Sequence, residues 1–223
     1  VVLEGLLALV FTIHQDYDLE MWKYNRELKR NVGDSRAHVH IPGRSARLMG
    51  VDVHINSMGF REKEPGAKTG MRIAVFGDSF TLGWGVEEAN TYVRRLEQLL
   101  REECGLAVEV FNFGVGNYNS IQVAEAIRRQ ASAVHPDLIL YGFYWNDAEP
   151  VQEEADGIWE KSLYLSAFWR KVKMRVFSRP EGFLSYYGSL YEGAGWNSFA
   201  LSLEEIRLAT QETGAELAVA LLP

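Results

Sequence analysis

The apolar positions of this chain follow two patterns, with the change at about residue 70. Before it they are scattered. Val1 to Ile13 is largely apolar but holds Glu4; Asp16 to Arg30 mixes charges with Tyr17, Leu19, Trp22, Tyr24 and Leu28 in a narrow helical stripe; Val51-Asp52-Val53-His54-Ile55 alternates as a short strand. Glycines, Pro42 and Pro65 divide the rest of Asn31 to Gly70 into turns, which predicts an irregular N-terminal cap. After Gly70, apolar runs alternate with helix-spaced stripes. Met71 to Phe76 reads as a buried strand, and Tyr92, Val93, Leu96, Leu99 and Leu100 as a helix behind the capping candidate Asn90. Ala107 to Phe113 is a second strand, followed by the stripe Ile121, Ala124, Ile127 and Ala131, opened by Asn119 and Ser120. Leu138 to Tyr144 is a third strand. Leu165, Phe168, Trp169, Val172 and Val176 make a further helical stripe, and Gly182 to Trp196 reads as an irregular excursion. Phe199, Leu203, Ile206 and Thr210 mark a helix with a start signal at Ser202 and Glu205 or nearer Asn197, and Ala215 to Leu222 is a fourth strand.

Strands alternating with helices of this length predict an α/β fold, a three-layer α/β/α sandwich with a mainly parallel sheet over residues 71–223, preceded by an extension over 1–70. Ligands of such sheets bind beyond the carboxyl ends of the strands, so the strand exits are where chemistry is expected.

Composition narrows the possibilities. The 223 residues carry a net charge of -7, which leaves no broad basic face for a phosphate backbone and argues against nucleic acid. One cysteine, Cys104, excludes an internal disulfide and any zinc site of two thiolates, and reads as a small apolar packing residue. Val1 to Ile13 is shorter than the ~20 residues that cross a bilayer, so it is either an amphipathic helix on the domain or the end of a membrane anchor. The second alternative places the protein outside the cytoplasm on a bacterial membrane.

Three strand exits carry candidate chemistry. The first, Phe76-Gly77-Asp78-Ser79-Phe80-Thr81-Leu82-Gly83, presents Ser79 at the sheet edge as a candidate nucleophile; the plainer alternative is that Asp78 and Ser79 cap a helix. It is neither a phosphate loop nor a Gly-x-Ser-x-Gly elbow, since Thr81 occupies the last glycine position. The second, Asn112-Phe113-Gly114-Val115-Gly116-Asn117-Tyr118-Asn119, has glycines that let backbone N–H groups turn toward an oxyanion. The third, Tyr144-Trp145-Asn146-Asp147, offers an asparagine amide or an Asx turn.

Together, Gly-Asp-Ser, Asn-x-Gly and Asn-Asp in this order resemble the blocks of the SGNH (GDSL-type) hydrolases. The likeness runs from about Asn56 to Pro223 and includes Asn56-Ser57-Met58-Gly59-Phe60-Arg61 and Arg72-Ile73-Ala74-Val75-Phe76. It implies a serine esterase or O-acyltransferase acting on small O-acyl groups, such as acetyl, of a glycan or small molecule, with no cofactor. By the resemblance Ser79 is nucleophile and backbone donor, Asn146 donates from its side chain, and a second-block N–H donates from Gly116 or Asn117. Asp78, Gly114, Tyr144 and Asp147 are expected to contact substrate. Tyr144 departs from the usual glycine and is expected to narrow the acyl pocket.

The resemblance also implies an Asp-x-x-His block after the last strand, and this sequence has none. His14, His38, His40 and His54 precede Ser79, and His135 enters the third strand on the order of 25 Å from the site, at about 3.3 Å per residue. The alternation around His38, His40 and His54 reads as exposed strand faces rather than a metal site. Borrowing one of them as base needs the cap to fold over the carboxyl edge of the sheet, which the sequence neither demands nor forbids. The expectation is a chain truncated before its base and therefore nearly inactive, or else a catalytically dead module that binds a glycan or a partner. Arg170, Lys171, Lys173, Arg175 and Arg179 form a basic cluster suited to lipid headgroups or to a solvated helix face. Trp159, Trp169, Tyr186, Tyr187, Tyr191 and Trp196 are divided between core packing and a sugar or acyl site.

Overall fold

The computed structural model describes residues 5–7, 16–61, 63–151, 164 and 183–222. The helical stripe from Leu165, the basic cluster, Trp159, Trp169 and nearly all of Val1 to Ile13 lie outside them. Among the described residues no helix is long and apolar enough to cross a membrane.

Four parallel strands form the sheet: β5 (Met71–Gly77), β6 (Val108–Asn112), β7 (Leu138–Phe143) and β8 (Glu216–Leu221), in spatial order β6-β5-β7-β8. Side chains alternate across β5. Ile73 and Val75 pack with Val93, Leu96 and Leu100 of α3 (Tyr92–Glu102) on one face. Ala74 and Phe76 pack on the other with α4 (Ser120–Gln130) and with Ile206 and Ala209 of α6 (Gly193–Thr213). Helices therefore cover both faces, giving three layers. Because β5 connects through α3 to one neighbour and the chain then crosses through α4 to the other, the order reverses at β5, and its exit is the crevice where such sheets bind ligands.

Several element bounds differ from the sequence reading. Thr91, not Asn90, caps α3, accepting the Arg94 N–H, and Leu99 is half exposed beside the stripe. Asn119 does open α4, in a reciprocal capping box with Gln122. The expected excursion from Gly182 is mostly helix, α5 (Phe183–Leu190) and then α6, which begins at Gly193 rather than near Asn197 or Ser202. Gly195 is needed at this junction, because a Cβ there would stand 2.2 Å from the Leu190 carbonyl oxygen. Ser202 lies inside α6, its hydroxyl bonded to the Phe199 carbonyl and to Ser120 Oγ. Cys104 is exposed rather than packed into the core, since the turn after α3 runs over the surface between α3 and β6.

The cap is regular. Helix α1 (Tyr17–Leu28) is followed by two antiparallel ribbons, β1 (Lys29–Asn31) with β2 (His38–His40) and β3 (Ser45–Leu48) with β4 (Val51–His54). Tyr24, Leu28, Leu48, Val53 and Ile55 form its core together with Leu82 of α2 (Ser79–Leu82), the short helix that begins at Ser79. The cap thus sits on the carboxyl edge of the sheet. His38 and His40 are buried, contrary to their reading as exposed faces, because β2 is closed in by α1 on one side and the loop after β6 on the other.

Candidate functional site

The first exit is built as a helix start. Asp78 caps α2, its Oδ1 accepting the Phe80 N–H at 2.9 Å, and Ser79 is the first helical residue, whose N–H has no intrahelical acceptor. Ser79 is half-buried, and no described residue hydrogen-bonds its Oγ. Its two chain neighbours both reach the third exit. Phe80 stacks on Tyr144 with ring centroids 4.2 Å apart, and the Asn146 side chain faces the Asp78 carboxylate closely enough to draw its pKa down. That contact lacks hydrogen-bond alignment: Asp78 Oδ2 and Asn146 Oδ1 are both buried without a partner. Burial is the larger influence on Asp78 and pushes its pKa above the usual carboxylate range.

The third exit is a single 3₁₀ turn over Trp145–Ala148, pinned from behind by Asp147. Asp147 Oδ2 accepts the Tyr141 hydroxyl at 2.6 Å and the Tyr144 N–H at 3.0 Å, while Oδ1 is buried without a partner. Burial, aided by the nearby Asp78 charge, pushes its pKa up to about 8 against the two bonds it accepts. On the far side of α2, Thr81 Oγ1 and the Tyr92 hydroxyl are 2.8 Å apart, and burial pushes Tyr92 up to about 12.

The second exit is clamped between α2 and the cap. Asn112 bridges two exits, donating from Nδ2 to the Thr81 carbonyl at 2.8 Å and accepting the Gly114 N–H at Oδ1, and the Val115 N–H donates to the Gly77 carbonyl. The Gly116 N–H donates to the Tyr24 hydroxyl at 2.8 Å, and its carbonyl faces His38 Nε2 at 3.1 Å. A Cβ at Gly116 would lie 2.6 Å from Tyr24 Cε1, so only glycine admits the tyrosine. Asn117 is exposed in the left-handed region at φ 69°, where glycine is easiest, and no described residue accepts its N–H. Of the two candidates for a second-block donor, Gly116 is therefore engaged and Asn117 is open.

Several expected contacts are thus placed differently. Asp78, Gly114 and Asp147 are buried and shape the rim from behind, because their polar groups cap α2 and the turns; Tyr144 is half-buried at the rim. The histidines are engaged elsewhere. His40 lies 2.7 Å from the Tyr24 hydroxyl and 3.3 Å from the Gly59 carbonyl, and exposed His54 pairs with Ser45 Oγ at 2.8 Å. His135 precedes β7 at the opposite end from Asn146, its carbonyl bonded by Lys68. Burial and the Lys29 charge push His38 and His40 down to about 3. Among the described residues no three His, Cys, Asp or Glu side chains are grouped to hold a metal ion. Tyr186, Tyr191 and Trp196 lie on α5, α6 and the turn between them, and Tyr191 donates to the Trp145 carbonyl.

Sequence reasoning missed Tyr24, His38 and Asn112 as supports. It quoted Arg61 only as part of a likeness; the structure buries Arg61 and uses it to bond the carbonyls of Leu82, Gly83 and Val86 at the end of α2.

A family model described as GDSL-like lipase/acylhydrolase matches residues 75–219. No curated protein matches. Among solved structures, AlinE4, an SGNH-hydrolase family esterase, is similar at 20% identity over 69% of this chain and 77% of that one, with a TM-score of 0.33. TesA is similar at 16% identity over 66% and 77%, with a TM-score of 0.35. Axe2, an acetylxylan esterase from Geobacillus stearothermophilus, is similar at 15% identity over 67% and 75%, with a TM-score of 0.33.

Proposed function

The chain belongs to the GDSL-like lipase/acylhydrolase family, and from that premise we propose that it is a serine esterase acting on small O-acyl groups such as acetyl, through an acyl-enzyme at Ser79. Ser79 Oγ attacks the ester carbonyl carbon and its proton passes to a base. The oxyanion formed accepts hydrogen bonds from the Ser79 N–H, the Asn117 N–H and the Asn146 amide. The ester C–O bond then breaks, the alcohol leaves with a proton, and water releases the acid by the same steps in reverse. The observation that supports this most is that Ser79, at the switch point of the sheet, lies between two neighbours that contact Asn146 and Tyr144. A glycan hydroxyl in place of water makes the same site an O-acyltransferase, which product analysis with an added acceptor distinguishes.

The base on this reading is none of His38, His40, His54 or His135, whose side chains or positions are committed elsewhere. The test is therefore a fluorophosphonate probe on the complete gene product, read by intact mass. Labelling that disappears in Ser79→Ala supports the esterase. A folded full-length protein that stays unlabelled overturns it in favour of the second reading, a binding module, which the engaged histidines favour.

A further inference from the structure

The cap grips the loop after β6 through one glycine. Tyr24 takes the Gly116 N–H and His38 takes its carbonyl, so the peptides on both sides of Gly116 are held by residues far away in sequence. The second contact matters for chemistry, because the Gly116 carbonyl belongs to the same peptide group as the Asn117 N–H.

The wiring is fixed by what each atom can do. A carbonyl oxygen only accepts, so His38 Nε2 carries the hydrogen and donates. The peptide is trans, as are all those among the described residues, and in a trans peptide the N–H points opposite to the C=O. Holding the carbonyl against buried His38 therefore turns the Asn117 N–H away from the cap, on a residue that is itself exposed. A hydrogen bond accepted by a peptide oxygen also polarises the group and makes its N–H a better donor. Without that grip, a loop with a left-handed residue at Asn117 is free to rotate the peptide and present the carbonyl oxygen where an anion must bind.

His38 is not explained by packing. Its Nδ1 is buried without a partner, a cost that an apolar side chain of similar size avoids, so what the histidine adds is the donated bond. Resting on the assignment of the Asn117 N–H to the oxyanion, we propose that His38 is a positioning residue for the esterase reaction: by donating to the Gly116 carbonyl it holds the Gly116–Asn117 peptide in the orientation that offers the Asn117 N–H to the transition state. The N-terminal cap is then part of the catalytic apparatus.

The test uses the complete gene product, with fluorophosphonate labelling and p-nitrophenyl acetate kinetics. Losing an aligned donor costs 10²–10³ in turnover, so His38→Leu is expected to lower kcat about 10²-fold. KM should stay within about threefold, because the ground-state ester does not need the oxyanion donor. His38→Gln, which keeps an N–H at similar reach, is expected to recover kcat to within about tenfold of wild type at unchanged KM. A His38→Leu protein that labels and turns over at the wild-type rate overturns the proposal while leaving the serine esterase intact. So does a His38→Gln that falls as far as His38→Leu, with both losses following the melting temperature, since that is a purely structural role. A wild-type protein that does not label overturns the esterase reading and this proposal with it.

Discussion

The turn after β7 and the loop after β6 each bring one amide to the rim, and they are held from behind by opposite chemistry. Asn146 stands on two buried carboxyl groups, Asp78 and Asp147, whose pKa values are raised by burial. The peptide of Asn117 is held by the buried imidazole of His38, and buried His40 stands one step behind at the Tyr24 hydroxyl, both pushed down to about 3 by the same cause. Burial moves acids up and bases down, so Asp147, His38 and His40 favour their neutral forms at neutral pH, with half-buried Asn146 and exposed Asn117 in front of them. The difference lies in origin. The carboxyl groups belong to the exits themselves, within three residues of the amide or next to Ser79, while the imidazoles come from the cap.

The largest expected effect is on the carboxyl side of that comparison. Asn146→Ala removes a side-chain donor and leaves the Asp147 turn intact, so kcat should fall by 10²–10³, or about 2.7–4 kcal/mol in the transition state. Steady-state kinetics on the complete gene product check it. If Asn146→Ala matches wild type while His38→Leu does not, stabilisation of the oxyanion rests on the cap side alone.

How much of this was legible depends on the distance over which the chain interacts. β5, β6, β7 and β8 were readable to within a residue or two because buried parallel strands are short apolar runs, and the Asp78–Ser79 and Asn146–Asp147 pairs lie immediately after them. The start of α6 was not, because Gly193 and Gly195 read as breakers when the chain needs them for its tight turn from Leu190. His38 and His40 alternate around Val39 as an exposed edge would, and only contacts 78 and 92 residues apart, from His38 and Tyr24 to Gly116, reveal that both faces are covered. A local pattern carries no sign of such a contact.

A smaller effect separates the two supports by pH. Asp147 has a folded pKa raised to about 8 from 3.8, so its contribution is full below 3.8 and is lost as pH rises through 8. His38 and His40 have folded values lowered to about 3 from 6.5, so theirs is full above 6.5 and is lost as pH falls toward 3. Between pH 6.5 and 8 only the carboxyl group is changing among these three. At 1.36 kcal/mol per unit, its contribution should decline by at most about 2 kcal/mol across that interval. Asp147→Asn keeps an acceptor for Tyr141 and Tyr144 but cannot titrate, so the decline should be shallower in the variant by that amount. Urea denaturation at the two pH values measures it; equal declines in variant and wild type would show that Asp147 is already ionised in the folded protein.

The smallest effect concerns the third cap histidine. His54 sits on the exposed face of β4, paired with Ser45 Oγ across the ribbon, and touches neither Gly116 nor the exits. Substitutions at such surface positions stay within about 0.5 kcal/mol. His54→Ala should therefore leave stability, labelling at Ser79 and kcat unchanged, where His38→Leu, sixteen positions earlier in the same cap, lowers turnover. The pair of variants separates burial at the loop after β6 from mere membership of the cap. Were His54→Ala to abolish labelling, the β3–β4 ribbon would have to reach Ser79 in the working protein, and His54 rather than an outside group would be the base that the described site lacks.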